Sequence, residues 1–420
     1  MSAPGGSAAL RVEPGQAAAP GALGRPERGL YVHVPFCIRK CYYCDFNSFR
    51  LRGPERDRFL DHLEREAHLW VGRLGVPAGG SRATGGRAAV DTVYLGGGTP
   101  TTLEPRQIER LFRMVRDRFA VAPGAEISVE ANPGTLTPEK LAALREAGVT
   151  RISLGAQVFD DTLLRRLGRE HDAAAIETSV ALAREAGIPS LNLDLIFALP
   201  GQTLAGWRET LRRALALEPD HLSCYGLIIE EGTPFYRWHQ QGRLPLPGEE
   251  AELAMYLEAI DTLEAAGLAQ YEVSNFARPG HACRHNLIYW RNGPYLGLGP
   301  GAHGFWGGVR RANLGPLPAY EAALAAGRLP LTTEEPVTPD LEMDETMLMG
   351  LRLTREGVAR RAFQARFGRT LDEVYGGAIQ GLSEQGLLED TGERIRLSRR
   401  GLPVANQVFM AFLRDDRKAY

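Results

Sequence analysis

From about residue 29 to residue 275, short apolar runs alternate with longer amphipathic stretches, and this alternation restricts the fold more than any other feature. Strands are predicted at Gly29–Val34, Asp91–Leu95, Glu126–Ala131, Arg151–Ala156, Ser190–Phe197, His221–Gly226 and Gln270–Ser274. Helices are expected near 54–71, 105–119, 138–147, 160–167, 172–187, 203–217 and 248–266, two of them ending at glycines (Gly148, Gly187) that suit a C-cap. Apolar strands separated by helices pair in parallel beneath a helical cover. The expected class is α/β, a partial (βα)6-type barrel over 29–275.

In such folds the chemistry gathers where the strands end. The first predicted strand leads to Cys37, Cys41 and Cys44, the second to Gly96-Gly97-Gly98-Thr99-Pro100, the third to Glu130 and the fourth to Gln157, while Asp194 stands near the end of the fifth. Three thiolates within eight residues, spaced C-x3-C-x2-C, must share a metal or repel one another. An Fe4S4 cluster ordinarily takes four cysteines, so three leave one iron open to a small molecule. Zinc with His33 as fourth ligand is the alternative, but there is no second cysteine pair. The chain has five cysteines, an odd number and too few for a disulfide framework. Glycines 97 and 98 let a ligand approach the backbone, and exposed amides can receive a carboxylate. Neither a P-loop lysine nor G-x-G-x-x-G is present.

A net charge of -2 gives no electrostatic reason to expect nucleic acid or an anionic membrane as partner. Arg394, Arg396, Arg399 and Arg400 motivate a nucleic-acid role, which the near-neutral chain supports poorly. No apolar run is long enough to span a bilayer. Residues 1–28, rich in Ala, Pro and Gly, lack the core of a signal peptide and read as a disordered tail. Reduced thiols and a cluster point to the cytoplasm. Residues 276–340 read as a Gly- and aromatic-rich linking segment, and 341–420 as a mostly helical, winged-helix-like domain with helices near 361–367 and 371–385 and a closing hairpin.

C-x3-C-x2-C with Tyr43 before the third cysteine resembles the signature of the radical S-adenosylmethionine enzymes. The resemblance implies a [4Fe-4S] cluster on the first loop, S-adenosylmethionine on its open iron, and reductive cleavage of that cofactor to a 5′-deoxyadenosyl radical. It assigns Tyr31, Tyr43, Gly97, Gly98, Thr99, Glu130, Gln157, Arg169 and Asp194 to S-adenosylmethionine, with Glu130 and Asp194 suited to the ribose and Arg169 to an anionic group. The cysteine stretch, Gly-Gly-Gly-Thr-Pro-Thr and Asp194-Leu-Ile-Phe-Ala-Leu-Pro-Gly-Gln-Thr203 are similar, within a match over about 29–410, to the oxygen-independent coproporphyrinogen III oxidases and their relatives, the HemW-type haem chaperones. The oxidases carry a further cysteine two residues after the third; here Phe46 stands there, which favours the chaperones. His285-Asn286-Leu-Ile-Tyr289-Trp290 matches the H-N-x-x-Y-W motif linked to haem in that group. His285 is the candidate iron ligand, with Cys283, His281 and His303 as competitors. The expectation is a protein that binds haem, the cluster and S-adenosylmethionine and hands haem to acceptor haem proteins, respiratory membrane enzymes among them. A radical enzyme acting on coproporphyrinogen III or another porphyrin precursor is the alternative. No catalytic residue is assigned, and the oligomeric state, a dimer included, is left open.

Overall fold

The computed structural model describes residues 25–50, 55–74 and 87–414. Most of the expected tail, up to residue 24, and residues 75–86, between the first predicted helix and the second predicted strand, lie outside the described residues.

The barrel half begins with β1 (Gly29–Val34), β2 (Phe36–Cys37), β3 (Phe49–Arg50), α1 (Glu55–Leu74), β4 (Ala88–Gly97) and α2 (Pro105–Arg118). It continues through β5 (Phe119–Ala131), α3 (Pro138–Glu146), β6 (Arg151–Gln157), α4 (Asp161–Leu167), α5 (Ala173–Glu185), β7 (Ser190–Phe197) and α6 (Leu204–Ala216). It closes with β8 (His221–Gly226), α7 (Pro234–Gln240) and α8 (Glu249–Ala265). β1, β4, β5, β6, β7 and β8 lie side by side and all parallel. This is the expected partial (βα)6-type barrel.

Side chains alternate across each strand. The outward set, including Leu30, Val32, Val93, Leu95, Val129, Ile152, Leu154, Leu191, Leu193 and Leu222, is buried beneath the helices. The other face turns Thr92, Tyr94, Glu130, Ser153, Asn192, Asp194 and His221 into the lumen, where they hydrogen-bond across strands. A polar lumen is the precondition for a site.

Beyond β8 the sheet adds β9 (Ala269–Glu272) and β10 (Asn275–Ala277), both antiparallel. α9 (Arg284–Trp290) follows. β11 (Tyr295–Leu298) then pairs parallel with β1, and β12 (His303–Trp306), β13 (Val309–Asn313) and β14 (Leu331–Pro336) extend the sheet antiparallel, with α10 (Leu317–Ala325) between the last two. Residues 276–340 thus contribute the helices α9 and α10 and one sheet flank. Their strands are short, four to six residues after β10, and mix polar with apolar residues, so they carry no readable alternation.

The last module comprises α11 (Pro339–Gly350), β15 (Val358–Ala359), α12 (Arg360–Phe367), α13 (Leu371–Glu384), β16 (Leu388–Asp390), β17 (Arg394–Leu397) and α14 (Ala405–Met410). Helices followed by the antiparallel sheet β15-β17-β16 give the winged-helix-like form. Its Met347, Phe363, Tyr375 and Phe412 belong to one continuous apolar core with the barrel. Among the described residues no helix is long and apolar enough to cross a membrane.

Candidate functional site

Cys37 ends β2, and Cys41 and Cys44 follow on the loop that returns to β3. All three thiols are free and half-buried. The loop is clamped from outside by segments far away in sequence. Tyr42 N donates to Leu167 O at 3.0 Å, and Phe235 N donates to Tyr42 O at 3.0 Å. The Tyr42 ring meets Trp238 edge-on at 5.2 Å, and a Cβ on Gly168 would come within 3.0 Å of that ring. Tyr43 packs near Phe235 at 6.3 Å. The clamp helix α7 was not predicted; its seven residues have no helical apolar period, and only the Thr233-Pro234 start signal could have suggested it.

The rim residues join two of the thiols. Thr99 Oγ1 donates to Cys37 Sγ at 3.7 Å and accepts from Asn132 Nδ2 at 2.7 Å. Arg169 Nη2 donates to Asn132 Oδ1 at 2.7 Å and to Gly155 O at 2.5 Å, while Nη1 reaches Cys41 Sγ at 3.4 Å. Arg169 is held there because Asp160 caps α4 and Gly168 ends it at a φ of 77°. Asn132 was not among the predicted site residues; Asn-Pro after a strand was the signal available. Burial raises the Cys37 thiol and pushes Cys44 up to about 11, so these groups keep their protons until a metal displaces them.

Glu130 closes the next layer. Its Oε1 accepts from Tyr94 OH at 2.9 Å and its Oε2 from Gly97 N at 3.1 Å. Burial first, then the nearby Asp194, pushes it up to about 7. Asp194 accepts from Ser153 Oγ at 2.9 Å and Asn192 Nδ2 at 2.8 Å, and burial raises it as well. Gln157 ends β6 in the left-handed region, φ 67°, a conformation that non-glycine residues adopt mainly where the surroundings impose it. Gly97 has φ 104°, and a Cβ on Gly98 would lie 2.6 Å from Phe36 O, so this turn presses against the base of the cysteine loop. Tyr31 stacks on Tyr94 at 6.2 Å, with its hydroxyl 2.9 Å from His33 Nδ1. His33 Nε2 is 2.8 Å from Asn47 O. Both ring nitrogens of His33 are engaged, so it is not free to complete a zinc site.

The H-N-x-x-Y-W motif lies at the opposite end of the barrel. It forms α9, whose amides at Arg284 and His285 donate to Glu126 at 3.0 Å each. The His285 side chain is fully buried beside Gly29, the first residue of β1. The cysteines lie beyond the other end of that strand, roughly 17 Å along it. His285 Nδ1 is 2.7 Å from Thr92 Oγ1, and Nε2 is 2.7 Å from Tyr289 OH. The ring stacks on Tyr94 at 5.2 Å, and burial lowers it to about 3. As placed, both ring nitrogens of His285 are engaged by protein partners, so an iron at His285 would have to displace Thr92 or Tyr289. Trp290 lies under the Arg352 guanidinium at 4.4 Å, Tyr289 meets Tyr295 at 4.5 Å, and Asn286 is half-buried. The motif forms the floor of the lumen.

Residues 31–214 match the Radical SAM superfamily, and residues 337–404 match the HemN C-terminal domain. The protein described as Heme chaperone HemW in Bacillus subtilis (strain 168) is 40% identical over 389 residues, 92% of this chain and 99% of that one. The chain belongs to the HemW-type family of the radical SAM superfamily. The mitochondrial Radical S-adenosyl methionine domain-containing protein 1 of Bos taurus is 34% identical over 417 residues, 95% of this chain and 90% of that one. The solved coproporphyrinogen III oxidase HemN from Escherichia coli, a radical SAM enzyme, superposes with a TM-score of 0.78 at 26% identity, covering 92% of this chain and 90% of its own.

Membership of the superfamily implies a [4Fe-4S] cluster and S-adenosylmethionine. The donor set fits. Three free thiols on one loop are soft ligands, and Thr99 and Arg169 already aim donors at two of them. Among the described residues no three His, Cys, Asp or Glu side chains converge tightly enough for a single ion. A cluster asks for less convergence, because each thiolate binds its own iron.

Proposed function

We propose that this chain is a haem chaperone that carries haem, a [4Fe-4S] cluster and S-adenosylmethionine, and passes haem to acceptor haem proteins in the cytoplasm or at the inner face of respiratory membranes. The observation that carries the reading is the 40% identity, over 92% of the chain, to the Bacillus subtilis protein named Heme chaperone HemW. In this reading Cys37, Cys41 and Cys44 hold the cluster. The cluster, when bound, supplies an open iron for the cofactor's amino-acid end and one electron for its reduction.

The chain's own residues bind and orient. Thr99 and Arg169 donate toward the sulfurs of Cys37 and Cys41 and so orient them. The Gly97–Gly98 turn offers backbone to the methionine group. Glu130 and Asp194 are acceptors for ribose hydroxyls, Gln157 and Arg169 meet the remaining polar edges, and Tyr31 and Tyr43 wall the site with rings. The test is anaerobic reconstitution with iron and sulfide, then titration with S-adenosylmethionine and with hemin, then mixing with an apo-haem protein. The reading expects a cluster spectrum perturbed by S-adenosylmethionine, a saturable Soret band, and movement of that band to the acceptor. Conversion of coproporphyrinogen III to protoporphyrinogen at enzymatic rates would replace it with an oxidase.

A further inference from the structure

We propose that Ser48 is a further positioning residue of the cysteine loop. Its buried hydroxyl donates to the Cys37 sulfur once that sulfur is a metal-bound thiolate, and so raises the potential of the cluster. This rests on the reading above that Cys37, Cys41 and Cys44 hold the cluster.

Ser48 stands where the cysteine loop rejoins β3. It precedes Phe49, and Phe36 and Cys37 of β2 pair in parallel with Phe49 and Arg50. The backbone around it is fixed from both sides. Ser48 N donates to Phe46 O at 2.6 Å, and Phe49 N donates to Pro35 O at 2.7 Å. The preceding residue, Asn47, donates to Pro300 O at 2.8 Å and to Gly315 O at 2.9 Å. Ser48 is 6% exposed, and its hydroxyl oxygen, sealed from solvent, has no hydrogen-bond partner. A buried hydroxyl left unpaired is costly, so a serine in this place calls for a reason. Cys37 supplies it. Burial raises the Cys37 thiol, and the hydroxyls of Thr99 and Ser48 both act against that rise. Two hydroxyls therefore converge on one sulfur.

A thiol is a weak acceptor, whereas hydrogen bonds to an ionised acceptor are the strong ones. While Cys37 keeps its proton it gives Ser48 little to bond, which accounts for the idle hydroxyl. A metal displaces that proton. The sulfur then carries charge, and the hydroxyl gains an acceptor by rotation alone, with its backbone already in place. Thr99 reaches the same sulfur at 3.7 Å, and Arg169 reaches Cys41 Sγ at 3.4 Å. Hydrogen bonds to the sulfurs are one lever on a cluster's potential. Reduction adds negative charge, donors stabilise it, and the potential rises. Ser48 therefore favours the loaded, reduced state at the expense of the metal-free protein. Ser383 offers the contrast. Its hydroxyl is also buried and unpaired, but it lies on α13 of a module that contains no cysteine.

The experiment compares wild type, Ser48→Ala and Ser383→Ala, each as metal-free protein and after anaerobic reconstitution with iron and sulfide. A redox titration followed by electron paramagnetic resonance reads the potential, and iron per chain after a chelator challenge reads retention. At a fixed applied potential, Ser48→Ala is expected to lower the reduced-to-oxidised ratio severalfold, within the tenfold that corresponds to about 59 mV for one electron. It is also expected to lose iron severalfold faster. Its metal-free form is expected to melt at or above the wild-type temperature, because an unpaired buried group has gone. Ser383→Ala is expected to leave both cluster readings at wild type. A wild-type potential in Ser48→Ala, or an equal shift in Ser383→Ala, overturns Ser48 and leaves the cluster reading standing. A metal-free Ser48→Ala that melts below wild type overturns it as well, since the serine is then structural. Failure of wild type itself to take up a cluster takes down the reading on which Ser48 rests.

Discussion

Asn132 uses both ends of its amide at the rim, donating to Thr99 and accepting from Arg169 at 2.7 Å each. Through these partners it connects the neighbourhoods of Cys37 and Cys41. Arg169 Nη2 keeps Gly155 O, but truncation removes the acceptor of its other hydrogen and the donor to Thr99 Oγ1 in a half-buried place. Asn132→Ala is expected to cost about 1–3 kcal/mol, read from urea denaturation, and to lower the iron retained per chain after reconstitution. Unchanged stability with full iron would show that the bridge is idle. The same logic makes Phe46 informative: a single side chain, exposed beside three thiols, changes what the mouth of the barrel presents.

At the scale of elements, α9 and α1 are each fastened by one buried polar residue. His285 fastens α9 to β4, and removing its ring leaves Thr92 Oγ1 and Tyr289 OH unpaired and opens a void beside Tyr94. His285→Ala is expected to lose about 2–4 kcal/mol, so weaker hemin binding by that variant should track its melting temperature. Hemin binding lost at an unchanged melting temperature would mark His285 as a ligand. Glu66 of α1 is fully buried, accepting from Gly299 N at 2.8 Å, Asn313 Nδ2 at 2.6 Å and Tyr320 OH at 2.6 Å. Burial pushes it up to about 7. The native state therefore keeps this proton to higher pH than the unfolded chain does. Its contribution is fully present below the ordinary carboxyl range and is lost as pH rises toward 7, by at most about 1.4 kcal/mol per pH unit. The lowered histidines, His285, His221 and His33, act with the opposite sign, so the quantity to measure is a difference. The stability of wild type minus that of Glu66→Gln, from denaturation at pH 5, 6 and 7, should fall as pH rises.

At the scale of the molecule, the barrel and the C-terminal module are joined through the end of α9. Arg352, in the turn after α11, pairs with the fully buried Glu272 of β9 at 3.2 Å and covers Trp290 at 4.4 Å. Arg291 pairs with Glu356, and Arg366 donates to Asn292 O and pairs with Glu342. Three of the arginines that suggested nucleic acid are engaged within the protein, Arg394 with Glu356 O, Arg396 with Glu389 and Arg399 with Asp261. Arg352→Leu leaves Glu272 buried without its countercharge. The expected loss is about 3–5 kcal/mol, and calorimetry should separate the C-terminal transition from that of the barrel. A single, unshifted transition would show that the shared apolar core alone holds the two together.

Much of the framework was legible because its cues are local. The strands Ser190–Phe197 and His221–Gly226 were placed to the residue, since apolar residues recur on one face and helix signals flank them. The first half of β5, with Ala122-Pro123-Gly124 inside it, lies before the predicted start at Glu126 and proved to be strand. The positions of Cys37, Glu130, Gln157 and Asp194 on one rim follow from strand order alone, and the sequence by itself determined that. Thr99 and Arg169 needed the turn and helix end that aim them. Which histidine nitrogens are engaged was decided only by the tertiary structure. The partners of His285 come from Thr92 and Tyr289, and those of His33 from Tyr31 and Asn47. Burial and pairing are made by segments up to about two hundred residues apart, and no local pattern encodes them.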